Sequence, residues 1–160
     1  NAGISVSSKD KIENFVDIVN TNLNSAFYVS TLFLKHLKKS KNASIINISS
    51  INAYQGFPNN PGYVASKSGL IGLTRSLALD YGKYNIRVNA ISPGYLSDGM
   101  TLRSFKNKKT RSERSKRTIL NRWGKASDVF GMIDYLISDK SSYTTGQDFI
   151  IDGGWLAKGL

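Results

Sequence analysis

The chain has 160 residues, 40% of them hydrophobic, and a formal net charge of +11 at neutral pH. This length and composition fit one globular domain with a sizeable core. The absence of cysteine excludes disulfide bonds and thiolate metal sites, and no apolar run approaches the roughly 18 residues of a membrane span.

The start of the chain has neither an initiator methionine nor a signal peptide. We therefore expect Asn1-Ala2-Gly3 to belong to a longer, cytoplasmic protein of which this chain is the downstream part. A long helical pattern follows, beginning at Asp10 or Lys11 and ending near Lys39. His36 lies near the end of this helix, where a basic residue complements the helix dipole, so a metal-ligand role is disfavoured. The predicted apolar face consists of Ile12, Phe15, Val16, Val19, Leu23, Phe27, Leu32 and Leu34.

Three short segments have the pattern of strands and alternate with helices. The predicted strands cover residues 43–49, 86–91 and 147–151. The predicted helices between them cover residues 62–81, with Gly82 as the stop, and a segment that Ser127 with Asp128 can cap and that ends at Ser138. Residues 52–61, rich in Asn, Gly and Pro, are predicted to be a loop. Because crossovers of this length join parallel strands, the sequence predicts a layered α/β fold.

Most of the positive charge lies in one segment, residues 103–125, which is expected to contain one short helix. The segment has ten basic residues and one acidic residue, Glu113, so it carries +9 of the +11. We consider a solvated loop, a surface for an anionic substrate or acidic carrier protein, and a nucleic-acid footprint. The last is disfavoured because the only interleaved aromatic residues are Phe105 and Trp123. If this segment covers the substrate, Lys106, Lys108 and Lys109 are the expected binding cations.

Residues with catalytic potential are predicted to meet at one edge of the sheet. Tyr63 and Lys67 are four residues apart on a helix and therefore share a face. A neighbouring ammonium favours the phenolate, so we expect Lys67 to lower the pKa of Tyr63 towards the range of a general acid or base. Ser49 and Ser50 end the first strand and Pro93-Gly94 closes the second. In doubly wound sheets ligands bind at the carboxyl ends of the strands, so these residues form the candidate site.

Six motifs in order resemble the short-chain dehydrogenase/reductase family in its short single-domain form. The resemblance implies a Rossmann-like, doubly wound parallel sheet with three α/β/α layers, truncated at the N-terminus. Residues 1–160 would be the C-terminal part of this single domain, without its glycine-rich nucleotide-binding half. The motifs are Asn1-Ala2-Gly3, Asn22-Leu23-Asn24-Ser25, Ile46-Asn47-Ile48-Ser49-Ser50, Tyr63-Val64-Ala65-Ser66-Lys67, Arg87-Val88-Asn89-Ala90-Ile91-Ser92-Pro93-Gly94, and Thr145-Gly146-Gln147 with Asp152-Gly153-Gly154.

The resemblance also implies catalytic roles for four residues of this chain. Tyr63 would exchange a proton with the carbonyl or alcohol oxygen, and Lys67 would lower its pKa and hydrogen-bond the nicotinamide ribose. Ser50, thirteen positions before Tyr63, would hydrogen-bond the reacting oxygen. Asn22 would hold a water that links Lys67 to solvent. The implied activity is that of an NAD(P)-dependent oxidoreductase interconverting a secondary alcohol and a ketone, most similar to 3-oxoacyl-carrier-protein reductases and to sugar or polyol dehydrogenases.

The implied cofactor is NAD or NADP, and no metal is expected. Asn1, Ala2 and Gly3 would line the cofactor cleft together with Tyr63, Lys67, Pro93, Gly94 and Leu96. The sequence departs from the family at Asp98, where a threonine often contacts the nicotinamide amide; Ser97 and Thr101 are the candidate substitutes.

The implied partners are a small-molecule or carrier-bound carbonyl or alcohol substrate, with an anionic one favoured by the basic segment. Nucleic-acid and membrane partners are not expected. The resemblance suggests a homodimer or homotetramer, and an apolar helix face suits packing between subunits; it consists of Leu70, Ile71, Leu73 and Leu77. The alternative function is a cofactor-binding sensor or scaffold of the same fold without turnover.

Overall fold

The computed structural model describes residues 3–7 and 11–158. Its helices are α1 (Ile12–Val19), α2 (Ser25–Leu37), α3 (Pro61–Gly82), α4 (Leu102–Lys106), α5 (Lys108–Arg117) and α6 (Ser127–Ile137). Its strands are β1 (Ala43–Ile48), β2 (Ile86–Pro93) and β3 (Asp148–Ile151), and short 3-10 turns cover Ile51–Ala53, Gly99–Thr101 and Asp139–Ser141. None of the helices in the two described ranges is long and apolar enough to cross a membrane.

The strands form a parallel sheet in the order β1-β2-β3. The central strand, β2, is buried at every position from Ile86 to Ser92. A parallel strand is buried in this way only when helices cover both faces of the sheet. The predicted parallel α/β arrangement is therefore confirmed, with strand bounds within two residues of the expected ones.

The two faces of the sheet carry separate cores. Ile45 packs into the core that α3 forms with one face, and the next residue, Ile46, packs into the core that α6 forms with the other. Successive side chains of a strand point to opposite faces, so one strand supplies both layers. The α3 core contains Ala43, Leu77, Ala78, Tyr81, Ile86 and Val88, and the α6 core contains Ile91, Val129 and Leu136. This is the expected three-layer α/β/α arrangement.

The first predicted helix is correct in extent, but most of its predicted apolar face is exposed in this chain. A π-helical segment, Asn20–Asn24, joins α1 to α2, so the helical run covers residues 12–37. Ile12 and Leu32 are 82% and 75% exposed, whereas the buried residues of the run are Ile18, Asn22 and Ser30. Of the predicted face, Leu23 packs closely against α3: a Cβ added at Gly69 would lie 2.7 Å from Leu23 Cδ2.

The predicted subunit face of α3 is also wrong. Leu70, Ile71 and Leu77 are all at most 7% exposed and pack inside the chain. They lie on the same side of α3 as Lys67, because they follow it by three, four and ten residues, which at 3.6 residues per turn keeps all of them on one side of the helix. This face of α3 therefore packs inside the chain and is not available to a second subunit. The apolar residue Leu79 of α3 is exposed and is not part of this face.

The basic segment folds into two helices, α4 and α5, rather than one. Asn107 separates them, and its side-chain oxygen accepts a hydrogen bond from the backbone N–H of Thr110 (3.0 Å). α6 begins at Ser127, as predicted, but the Ser127 side chain does not cap it. Asp128 accepts from the Lys125 N–H and forms an ion pair with Arg122, both at 2.7 Å.

We expect Ile91→Ala to lower the free energy of unfolding by about 3 kcal/mol, because it opens a cavity between β2 and α6. Ile91 is fully buried (0% exposed). Urea denaturation measures the change, and Ile150→Ala is the matched control. Ile150 lies on the neighbouring strand but is 45% exposed, so its loss should cost less than about 1 kcal/mol. If the two variants lost equal amounts of unfolding free energy, the burial of Ile91 in the core between β2 and α6 would be contradicted.

Candidate active site

The candidate site forms where β1 and β2 end and α3 begins. Ser49 and Ser50 follow β1, and Pro93 is the last residue of β2. α3 starts at Pro61, a residue whose fixed φ suits the first turn of a helix. These ends enclose a cavity of about 410 Å³. Its lining includes Gly3, Ser50, Tyr63, Lys67, Pro93, Gly94 and Leu96.

Lys67 points from α3 to the end of β1. Its Nζ donates a hydrogen bond to the carbonyl oxygen of Ile48 (2.8 Å), and the side chain is 6% exposed. Burial disfavours the charged form, so the pKa of Lys67 falls to about 8. The amine is therefore still mostly protonated at pH 7.

Tyr63 lies on the same face of α3, with its ring centroid 5.7 Å from Lys67 Nζ. Burial raises the pKa of its phenol; the hydrogen bond with Ser50 lowers it in part, and the nearby Tyr95 phenol raises it further. The expected lowering of this pKa by Lys67 is not found, since Lys67 Nζ is directed at Ile48. At pH 7 the phenol consequently keeps its proton.

The two serines after β1 have different partners. Ser49 is buried, and its hydroxyl donates to the backbone oxygen of Lys67 (2.8 Å). Ser50 accepts from the N–H of Asn52 (3.1 Å) and hydrogen-bonds Tyr63. Ser49 thus fastens α3 to β1, whereas Ser50 is the serine beside the phenol, as the spacing in the sequence predicted.

Asn22, in the π-helical segment, holds the start of the chain against the site. Its Nδ2 donates to the Ile4 oxygen (2.9 Å) and to Ser66 Oγ (3.1 Å), and its Oδ1 accepts from the Ile4 N–H (2.8 Å). A Cβ added at Gly3 would lie 3.7 Å from Asn22 Oδ1 and 3.9 Å from Lys67 Nζ. Asn22 and Gly3 are therefore next to Lys67, and the water-holding role of Asn22 stays a prediction. Asn1 and Ala2 lie outside the described residues.

The cavity beside Lys67 fits the nicotinamide end of a dinucleotide. At about 410 Å³ it is within the roughly 300–1,000 Å³ of small-molecule sites. Pro93, Gly94 and Leu96 form one wall, and a Cβ at Gly94 would lie 2.8 Å from Asp152 Cα, so only glycine allows this close approach. Lys67 has N–H donors beyond the one that Ile48 accepts.

Asp98 occupies the position at which the family often has a threonine. The two candidate substitutes, Ser97 and Thr101, lie in different places in the structure. Asp98 Oδ2 accepts from the Ala126 N–H (3.3 Å), although Asp98 also borders the cavity. Thr101 lines the cavity, whereas Ser97 lines a separate groove beside α5. Of the two predicted substitutes, only Thr101 is in place.

A second cavity, of about 290 Å³, meets the first at Ser50 and Tyr63. Arg114 is the one charged residue among the described residues that line it. Arg114, Asn60 and Tyr95 line this cavity without having been predicted from the sequence. Tyr95 could have been found, since it follows Pro93-Gly94 directly, but no local signal separates Arg114 from the other basic residues of its segment.

The lysines expected to bind substrate do not line this cavity. Lys106, Lys108 and Lys109 are exposed, and Lys108 borders the groove beside α5. α5 turns Lys108 and Lys109 outward while Arg114 lines the cavity, because residues 108 and 109 are not on the face of residue 114; Lys106 belongs to α4. Within residues 3–7 and 11–158, no three His, Asp or Glu side chains come together as a metal site.

Comparison with known proteins gives a consistent set of relatives. A family model described as "Enoyl-(Acyl carrier protein) reductase" matches residues 1–156. The 2-dehydro-3-deoxy-D-gluconate 5-dehydrogenase of Escherichia coli (strain K12) is 38% identical over 99% of this chain. The 3-oxoacyl-[acyl-carrier-protein] reductase of Thermotoga maritima is 39% identical over 96% of it. The chain spans 64% and 63% of the lengths of these two relatives.

A solved structure gives the same result in three dimensions. The 4-hydroxyisoleucine dehydrogenase complexed with NADH and succinate superposes with a TM-score of 0.87 at 37% identity. The match covers 98% of this chain and 66% of that one.

The buried amine of Lys67 predicts a pH-dependent stability. The folded state releases this proton near pH 8, whereas the unfolded lysine keeps it to about 10.5. Between these values the unfolded state binds more protons, so the stability of the wild type should rise with pH relative to Lys67→Met, by up to about 1.4 kcal/mol per pH unit. Below pH 8 the difference should be constant. Urea denaturation from pH 7 to 10 measures the difference in unfolding free energy. Lys140→Met, at an exposed lysine, is the control. Parallel plots of unfolding free energy against pH for wild type and Lys67→Met would contradict the prediction.

Proposed function

The chain belongs to the short-chain dehydrogenase/reductase family, and we propose that it carries the catalytic residues of an NAD(P)-dependent oxidoreductase. The reaction interconverts a secondary alcohol and a ketone. The observation that carries this proposal is the position of Tyr63 and Ser50, which border both cavities. A phenol at that junction can reach a substrate oxygen in one cavity while the cofactor occupies the other.

The proton chemistry follows from the state of Tyr63 and Lys67. NAD or NADP, when bound, accepts or supplies the hydride. In reduction, Tyr63 donates its proton to the carbonyl oxygen, and Ser50 hydrogen-bonds the same oxygen. The raised pKa of Tyr63 keeps this proton in place at neutral pH until the substrate oxygen develops negative charge. Charged Lys67 would stabilise the phenolate that remains once its ammonium, now bonded to the Ile48 oxygen, turns towards it, because an opposite charge favours the ionised form.

The reverse direction begins from the state in which reduction ends, with Tyr63 ionised and Lys67 still charged. In oxidation, Tyr63 takes the proton of the alcohol as a phenolate. Lys67, with a pKa of about 8, is suited to pass a proton between the phenol and its surroundings near neutral pH. Asn22 is adjacent to Lys67 through Gly3, which supports the proposal that a water beside Asn22 completes the path to solvent.

The same proposal assigns two sets of residues to binding of the cofactor. Gly3, Pro93, Gly94 and Leu96 would enclose the nicotinamide, and Lys67 would bind the ribose hydroxyls. Asn1 and Ala2, which precede Gly3, would extend this wall. The NADH in the related 4-hydroxyisoleucine dehydrogenase supports a nicotinamide cofactor here, with either NAD or NADP as the species.

A small polyhydroxy acid is the substrate class that the second cavity supports best. A volume of about 290 Å³ is at the lower limit for small-molecule sites. The relative from Escherichia coli is named for such an acid, 2-dehydro-3-deoxy-D-gluconate. The second candidate is a carrier-bound 3-oxoacyl group, favoured by the groove beside α5, which has five basic residues: Lys108, Arg111, Lys116, Arg122 and Lys125.

Assembly and location are proposals of the same kind. The helical run of α1 and α2 exposes a row of large apolar residues, Phe15, Val16, Phe27, Tyr28, Val29, Leu32 and Phe33. Such a row supports a homodimer or homotetramer, since large exposed apolar patches mark interaction sites. We propose a cytoplasmic location, as for a metabolic enzyme that uses a free nicotinamide cofactor.

We expect Tyr63→Phe to lower kcat at least about 100-fold, because it removes the proton donor and leaves the ring packing against Phe57. Absorbance of the reduced nicotinamide measures turnover, and its fluorescence measures cofactor binding, which should change less than about threefold. Tyr143→Phe is the matched control, at a fully exposed tyrosine. An undiminished rate in Tyr63→Phe would contradict the role of Tyr63 as proton donor, whereas a wild type that binds the cofactor without any turnover would favour the alternative, a cofactor-binding sensor or scaffold.

A further inference from the structure

Arg114 is a positive charge in the substrate cavity for which the described part of the chain supplies no carboxylate partner. Arg122, in contrast, is paired with Asp128 at 2.7 Å. Arg114 is half-buried and borders the same cavity as Ser50 and Tyr63. A half-buried guanidinium without an anion is costly, because its desolvation is not offset by an opposite charge. The cavity is therefore expected to bind a negatively charged ligand at Arg114.

Aromatic rings hold the guanidinium in position. Arg114 Cζ lies 4.0 Å from the ring centroid of Tyr95 and 5.6 Å from that of Trp123. Tyr95 in turn packs against Trp155 at 4.8 Å, and Trp123 Nε1 donates to the Arg111 oxygen (3.0 Å). Stacking engages the faces of the guanidinium and leaves its N–H groups at the edge free for an acceptor. The group is thus fixed before any ligand binds.

Tyr95 also connects Arg114 to the reaction centre. Its phenol is near enough to Tyr63 to raise the pKa of Tyr63, and its ring lies beneath Arg114. A ligand that touches both Tyr63 and Arg114 therefore also lies beside Tyr95, which lines the same cavity.

A further polar atom in this cavity has no partner. Asn60 Oδ1 is buried and accepts no hydrogen bond from the described residues. Asn60 lines the cavity, just before α3. An acceptor of this kind is satisfied by a hydroxyl group of a ligand.

We propose that Arg114 is the specificity-determining residue of this site: it binds the carboxylate of a hydroxy or keto acid whose oxygen reacts at Tyr63, and Asn60 accepts a hydrogen bond from another hydroxyl of that acid. The proposal rests on the function proposed above. A monoanionic carboxylate fits better than a dianionic phosphate ester, since Arg114 is the one charged residue among the described residues that line the cavity. Arg117 stacks similarly, 4.5 Å from the Trp155 ring centroid, but does not line the cavity and is the matched control.

The first experiment compares wild type, Arg114→Gln, Arg114→Lys and Arg117→Gln of the intact protein in steady-state kinetics. The substrates are 2-dehydro-3-deoxy-D-gluconate and its uncharged carboxamide. We expect Arg114→Gln to raise KM for the acid about 10- to 100-fold, with kcat within threefold, and to leave KM for the carboxamide unchanged. Arg114→Lys should restore part of the affinity, and Arg117→Gln should behave as wild type. Equal increases in KM for acid and carboxamide would indicate a structural role and overturn the proposal.

A second measurement separates this proposal from the proposed function. Succinate has no alcohol to oxidise and no ketone to reduce, so its binding is independent of turnover. Trp123 and Trp155 lie in the aromatic cluster beneath the arginines, so intrinsic fluorescence reports the titration. Weaker succinate binding by at least about tenfold in Arg114→Gln, but not in Arg117→Gln, supports the proposal even if wild type turns over neither substrate. Equal dissociation constants for wild type and Arg114→Gln overturn it, whatever the kinetics.

Discussion

The hydrogen bond from Lys67 Nζ to the Ile48 carbonyl oxygen is the contact on which the site depends. It joins the first turns of α3 to the end of β1, across 2.8 Å and 19 residues of sequence. The bond from Ser49 to the Lys67 oxygen closes the same connection from the other side. Together they fix the rotation of α3, so Tyr63, one turn earlier, must face the cavity at the strand ends.

The burial of Lys67 and Tyr63 also shifts their pKa values, in opposite directions. It lowers the pKa of Lys67 to about 8 and raises that of Tyr63 above its ordinary value. Each shift disfavours the charged form, as expected for desolvation. The outcome is a neutral phenol beside an amine that exchanges its proton readily, and proton transfer in either direction then requires a charge that the reacting substrate itself develops.

The basic segment shows how one run of similar residues divides into different tasks. Arg122 is neutralised by Asp128, Lys106 and Lys109 lie in solvent, and Arg114 turns into the cavity over Tyr95. The net charge of the segment does not distinguish these residues from one another. Position on α5 makes the distinction: Arg117 also lies over an aromatic ring, that of Trp155, but only Arg114 has its ring, that of Tyr95, in the lining of the cavity.

The sequence by itself determined the parallel α/β fold, the bounds of the strands and of the helices outside the basic segment to within a few residues, and, with the family resemblance, the Ser50, Tyr63 and Lys67 set. These follow from local periodicity and from short spacings, which one segment of chain contains completely. The tertiary structure alone decided that Asn22 binds Ser66, 44 residues away, that α3 buries Leu70 and Leu77 in its own chain, and that Arg114 rather than Lys108 faces the phenol. These outcomes depend on which surfaces meet after folding, and the free energy of that packing involves residues that no local pattern brings together.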